Sequence, residues 1–240
     1  MRYILNFILN IIDFSHKKKI IKFLKKSLSE SPLNLIDVGA HYGETLKIFV
    51  KNFKIKQLIC YEASKENFPK LEKIALDLKK KNFNIKVYNK ALGDFKRMAI
   101  FNQTSESSSS TFSKINLDTA YFKRKKRILN LFFNKDYISD NYEIELNTLN
   151  DEMELNKIQF IDLIKIDTEG FEFEILKGLG DKINLIKYIY FEHHFDLMIV
   201  KNYTFRDINQ LLKKAGFEKV FKTKMPFRKT FEYIYANKRN

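Results

Sequence analysis

Asp37-Val38-Gly39-Ala40-His41-Tyr42-Gly43-Glu44-Thr45 joins two segments of different character. Leu35, Ile36 and Val38 before it read as a buried strand, and Leu46, Ile48, Phe49 and Val50 after it open an apolar-periodic helix. The two glycines mark a tight turn between them. A strand ending in a carboxylate, then a glycine turn, then a helix start lets backbone approach a ligand closely. The helix start also presents N–H groups that have no partner within the helix.

Outward from this turn the chain alternates. The first strand covers about Asn34 to Val38, and a helix follows from Gly43 to Asn52. Gln57 to Tyr61 is a second strand ending in Glu62-Ala63-Ser64. Glu66 to Lys80 is helical, and Asn84 to Asn89 is a third strand. After a pause the pattern resumes with a fourth strand, Phe160 to Asp167, the turn Thr168-Glu169-Gly170 and a helix from Phe171 to Leu179. Tyr188 to Phe191 is a fifth strand, ending in Glu192-His193-His194. A helix over Thr204 to Ala215 precedes two closely linked strands, Phe217 to Lys222 and Phe231 to Ala236, read as an antiparallel hairpin at a sheet edge. Short strands alternating with helices predict an α/β fold with a mostly parallel sheet covered on both faces.

The pause holds an extra short strand, Lys96 to Phe101, and an insertion of about residues 103–142. Its first part carries Ser105, Ser107, Ser108, Ser109 and Ser110, and its second the run Lys123-Arg124-Lys125-Lys126-Arg127. The serines read as a mobile linker or as a loop that closes over a ligand. The basic run reads as a solvated helix face or as a recruiter of a phosphate-bearing acceptor.

The domain plan is an amphipathic helical segment over residues 1–30 and a single domain over 31–240. Polar residues at Arg2, Asn6, Asn10, Asp13 and Lys17 leave a broad apolar face on the first helix. That face packs on the main domain, on a second subunit in a homodimer, or on a membrane surface, with Lys22, Lys25 and Lys26 toward headgroups. Tyr3 to Ile12 is far short of a bilayer span and carries no cleavage signature. The single cysteine, Cys60, lies inside a strand and reads as an inert core thiol, so the cytoplasm is the expected compartment, with the inner membrane face as a variant.

Of the 240 residues, 44 are Lys or Arg and 29 Asp or Glu, a formal charge of +15. Such a balance favours anionic partners in general. The lysines are nevertheless scattered along the whole chain rather than gathered in a footprint, which argues against nucleic acid as the main partner.

A nicotinamide-binding turn wants Gly-x-Gly-x-x-Gly, whereas this chain offers Gly39 and Gly43 only. A carboxylate at the strand end suits a ligand with a positive end, such as the ammonium and sulfonium of S-adenosylmethionine. Glu62, at the tip of the second strand, is placed to accept hydrogen bonds from two ribose hydroxyls.

These segments appear in a fixed order: Ile36 to Gly43, Tyr61 to Ser64, Asn89 to Asp94, Leu163 to Glu172 and Ile175 to Gly178. The chain resembles the FkbM-type branch of class I S-adenosylmethionine-dependent methyltransferases over about Leu33 to His194. His41 is a departure, because the family more often has Asn there; the long basic insertion is another. The resemblance implies a Rossmann-like, seven-stranded sheet with an antiparallel last strand. It also implies O-methylation of hydroxyls, commonly on sugars or secondary metabolites, with surface-polysaccharide assembly as the expected setting. Carried onto this chain, Asp37, Gly39, Ala40, His41 and Gly43 cradle the methionine part of the cofactor. Glu62 and Ala63 hold the ribose, Ala91 and Leu92 border the adenine, and Asp167 faces the methyl group.

Transfer to an alcohol also needs a base near the ends of the fourth and fifth strands. Asp167, Glu169, Glu192, His193 and His194 are the candidates. His193 and Asp167 are favoured, with Glu192 beside them, and Glu169 is expected to cap the following helix. A divalent ion held by these acids and histidines is the alternative way to activate a hydroxyl, although no compact ligand spacing in the sequence supports it. A ribose 2′-hydroxyl methyltransferase or an RNA-binding module using the basic run is the alternative function.

Overall fold

The computed structural model describes residues 16–28, 30–119, 122–123, 137–226 and 228–239. In chain order the elements are α1 (residues 16–27), β1 (Leu33–Val38), α2 (Glu44–Asn52), β2 (Ile55–Tyr61), α3 (Phe68–Lys79), β3 (Ile85–Tyr88) and β4 (Ala91–Gly93). Then come β5 (Arg97–Thr104), β6 (Lys114–Ile115), β7 (Ile138–Thr148), α4 (Leu149–Leu155), β8 (Ile161–Ile166) and α5 (Glu172–Lys177). The chain ends with β9 (Ile186–His194), β10 (Ile199–Val200), α6 (Phe205–Lys214), β11 (Phe217–Lys224) and β12 (Thr230–Asn237).

Seven strands make one sheet in the order β11-β12-β9-β8-β1-β2-β3. The pairings β1–β2, β2–β3, β1–β8 and β8–β9 are parallel. β12 runs antiparallel to both β9 and β11, so the last strand is inserted between them. The parallel Rossmann-like sheet and its antiparallel terminal hairpin agree with the sequence reading.

All six residues of β8 are buried, as a central strand covered on both faces requires. Period-two alternation sorts the apolar side chains into two cores. One lies between the sheet and α4, α5 and α6, and contains Ile36, Val38, Ile164, Ile166, Leu176, Ile208 and Leu212. The other lies under α1, α2 and α3, and contains Leu24, Leu35, Leu46, Phe49, Leu58 and Leu71.

Ile20, Leu24 and Leu28 place the described part of the N-terminal segment in that second core. Tyr188 Oη also donates to the Ser27 carbonyl at 3.2 Å. Lys22, Lys25 and Lys26 are exposed on the outer side of α1. The expected apolar helix over Tyr3 to Ile12, and the basic run from Arg124 to Arg127, lie outside the described residues. Among the described residues no helix is long and apolar enough to cross a membrane.

The insertion contains more regular structure than its composition announces. β4, β7 and β5 form a separate three-stranded sheet in the order β4-β7-β5. The anticipated strand at Lys96 to Phe101 is part of β5, but the 11-residue β7 has no counterpart in the sequence reading. Its sparse burial explains the omission, since Leu146 is its one fully covered side chain and the rest are polar or half-buried.

Candidate active site

The turn after β1 is drawn in against its neighbours. Gly39 and Ala40 N–H groups both donate to the Tyr61 carbonyl, at 2.9 and 3.1 Å, which ties the turn to the end of β2. Gly39 has φ +79°, and a Cβ there would come within 1.9 Å of the Asp167 carbonyl oxygen. Only glycine combines that backbone with that approach. Gly43, at φ +87°, caps α2 from the left-handed region. Ala40 is buried in the core behind the turn rather than facing outward.

Glu62 leaves β2 almost fully buried, and its carboxylate straddles two backbone donors. One oxygen accepts from the His41 N–H at 2.7 Å, the other from the Ser64 N–H at 2.9 Å. Oε1 also accepts from Asn67 Nδ2 at 3.5 Å, which leaves a free lone pair on Oε2. Burial pushes the carboxyl pKa up, against the pull of these hydrogen bonds. His41, which has φ 49°, directs Nδ1 to Glu44 at 3.1 Å and Nε2 to Ser107 Oγ at 2.9 Å.

Asp37 and Asp167, at the ends of adjacent strands, are joined through Lys165. Its ammonium lies 3.4 Å from Asp37 Oδ1 and 3.1 Å from Asp167 Oδ2. Burial opposes the charge on Lys165, but the two carboxylates hold its pKa well above the usual value. Burial raises the Asp37 pKa, and Lys165 offsets part of this. At Asp167 burial pushes upward too, but Lys165 prevails and holds the carboxyl below its usual range. Asp37 is wholly buried beneath the turn, whereas Asp167 faces out. A lysine inside an apolar central strand flanked by carboxylates is the signal that the sequence reading left unused.

Above these strand ends opens a cleft of about 550 Å³, counted out to its mouth. Gly39, His41, Glu62, Ala63, Leu92, Asp167 and Glu169 all line it. Ala91 does not; it is buried in β4, paired with β7.

The far wall comes from the insertion: Phe101, Ser107, Ser108, Ser110 and Phe112. The serine segment is therefore built into the cleft. Ser107 Oγ meets Tyr42 Oη at 2.7 Å as well as His41, Thr111 Oγ1 donates to the Glu169 carbonyl at 2.7 Å, and Ser113 Oγ donates to the Gly170 carbonyl at 3.0 Å. Hydroxyls that look idle in the sequence satisfy the backbone of the β8–α5 turn.

β9 separates its two histidines. His193 points into an aromatic cluster, with ring centroids 4.8 Å from Phe195 and 5.6 Å from Phe205. Burial, then the nearby Lys201 charge, pushes its pKa down to about 3. The structure does not bring it to Asp167. Glu192 and His194, two residues apart, share the opposite face, with His194 Nε2 3.1 Å from Glu192 and 3.2 Å from Glu169. Burial and then the Asp167 charge push the Glu192 pKa up to about 8. Burial disfavours charge on His194, but Glu169 above all raises its pKa well beyond the usual value.

Glu169 does not cap α5 as expected. It sits at φ 52° and turns toward His194, while Glu172 accepts from the N–H groups of Thr168 and Gly170 at 3.1 and 3.0 Å.

A seven-stranded sheet in this order, with a cleft at the carboxyl ends of β1, β2 and β8, is the Rossmann-like methyltransferase architecture. The sequence profile of the Methyltransferase FkbM domain matches residues 37–219. The chain belongs to the FkbM methyltransferase family.

Among solved structures, the crystal structure of Methyltransferase FkbM from Methylobacillus flagellatus KT is similar, with TM-score 0.54 and 16% identity over 85% of this chain. The match spans 43% of that longer protein. Magnesium protoporphyrin IX methyltransferase from Synechocystis PCC 6803, solved with bound S-adenosylhomocysteine, has TM-score 0.52 and 7% identity over 95% of this chain and 84% of its own. The M. capricolum TrmK complex with S-adenosylhomocysteine has TM-score 0.50 and 10% identity, over 91% of this chain and 67% of its own. At these identities the likeness speaks for the fold alone. No curated protein matches the chain.

Proposed function

We propose that this chain is an S-adenosylmethionine-dependent O-methyltransferase whose acceptor is a hydroxyl group of a sugar. The observation that carries the reading is the polarity of the cleft. At one end Glu62 offers a carboxylate oxygen with a free lone pair, and at the other Asp167 offers an ionised carboxylate beside Glu169. The fit to the cofactor rests on Gly39 and His41 in the cleft lining and on the Glu62 carboxylate for a ribose hydroxyl. Gly39, His41, Glu62, Ala63 and Leu92 would hold the cofactor, with the aromatic wall of Phe101 and Phe112 opposite.

When bound, the cofactor supplies an electrophilic methyl group on a sulfonium. The chain contributes position, which does much of the work in an in-line displacement. Asp167, kept ionised by Lys165, accepts the hydrogen bond of an acceptor hydroxyl and then its proton. The ionised Asp167 carboxylate at that end suits a polyhydroxylated, uncharged acceptor better than a phosphate, which it would repel.

A screen with label on the cofactor methyl group, offered sugar nucleotides and neutral glycan fragments, tests the acceptor class. Label should appear on a glycan oxygen. Transfer to RNA instead would overturn the sugar assignment.

A further inference from the structure

The group formed by Glu169, Glu192 and His194 has the geometry of a ligand set. His194 Nε2 lies 3.2 Å from a Glu169 oxygen and 3.1 Å from a Glu192 oxygen, and the three donor atoms fall within 4.8 Å of one another. The ring is oriented from its other side, where Nδ1 lies 3.2 Å from Thr230 Oγ1 and 3.5 Å from Asp196 Oδ2. With the ring proton on Nδ1, the Nε2 lone pair faces the carboxylates, as is usual for a metal-bound imidazole. His194 is 93% buried, and its Nε2 makes no well-aligned hydrogen bond with either carboxylate despite the short distances. A lone pair and two carboxylate oxygens converging in a buried space call for a cation between them.

We infer that Glu169, Glu192 and His194 bind a divalent transition-metal ion, with Mn2+ as its natural probe, at the acceptor end of the cleft. Adjacent donors around an octahedral ion with bonds of about 2.1 Å lie about 3 Å apart, which matches both histidine–carboxylate distances. One imidazole and two carboxylates suit Mn2+, Fe2+ or Zn2+ better than the all-oxygen shell that Ca2+ and Mg2+ favour.

The local charge agrees. Lys165 is taken up by Asp37 and Asp167 and Lys201 donates to the His194 carbonyl, while Glu169 and Glu192 both face His194. Three protein donors leave coordination positions open, and neighbouring hydroxyls of a sugar are natural occupants. That last assignment rests on the methyl-transfer reading, whereas the ion site does not. The sequence offers these acids and histidines as candidates but no compact ligand spacing, because they come from a turn and from the next strand, with a helix between.

The test is a Mn2+ titration of the full chain, without any S-adenosyl compound, following the loss of the free-ion electron paramagnetic resonance signal. One ion per chain should bind, and pulsed spectra should show nitrogen coupling from an imidazole. Glu192→Gln and His194→Ala should each weaken binding at least tenfold, with S-adenosylhomocysteine binding reporting that the variants are folded. Absence of saturable binding by the wild type, or binding without nitrogen coupling, would overturn the site whatever the variants do. Mn2+ binding by a chain that fails to bind S-adenosylhomocysteine upholds the ion site and counts against the methyl-transfer reading instead.

Discussion

Gly39 lies against the carbonyl of Asp167 so closely that a Cβ at residue 39 would come within 1.9 Å of that oxygen. This contact locks the turn after β1 to the end of β8, and so sets the distance between the glycine turn and the Asp167 carboxylate. Gly39→Ala adds the strain of φ +79° to the clash. The backbone strain alone costs about 1–3 kcal/mol, so the loss of stability should reach at least that range. Urea denaturation measures it, and a variant as stable as the wild type would show that the turn relaxes freely.

Lys165 is the counter-charge for two strand-end carboxylates. Lys165→Met keeps the length of the side chain but leaves Asp37 and Asp167 facing each other without a cation. Breaking a buried pair in this way typically costs about 3–5 kcal/mol. The pH dependence separates charge from packing. In the wild type the folded Asp167 pKa lies below its ordinary value, so the pairing stabilises the fold above that value and is lost as pH falls through the lowered one. Denaturation midpoints for wild type and Lys165→Met should therefore converge toward acid pH. A constant difference across pH would assign the lysine to packing alone.

His193 is held neutral in an aromatic pocket, with its pKa pushed down to about 3. Between about pH 6.5 and 3 the unfolded chain takes up a proton there that the folded chain refuses, so stability declines as pH falls through that window. His193→Phe removes this liability. Its stability should fall less than that of the wild type between pH 7 and pH 5 when both are denatured in urea. Methyl transfer at pH 7 should persist in the variant, and complete loss of turnover without loss of fold would restore His193 as a base.

Much of the fold is legible in the sequence because its strands are short, apolar and separated by amphipathic helices. The cradle is legible too, since Gly39, Gly43 and Glu62 stand at spacings that a strand–turn–helix unit imposes. The strand ends are harder. His193 and His194 are chemically identical in the sequence, and only the pleat of β9 sends one into Phe195 and Phe205 and the other toward Glu169. Glu169 and Glu172 are likewise interchangeable as helix caps until the backbone at Glu169 turns to φ 52°. The hydroxyls of Thr111 and Ser113 are illegible for another reason: their partners are main-chain carbonyls, which leave no mark in a sequence.

Calorimetry with S-adenosylhomocysteine tests the account most directly, on the wild type and on Glu62→Ala. The account predicts saturable one-to-one binding by the wild type and a loss of at least tenfold in Glu62→Ala, about 1.4 kcal/mol or more. Absence of binding by the wild type, or equal binding by the two proteins, would contradict it.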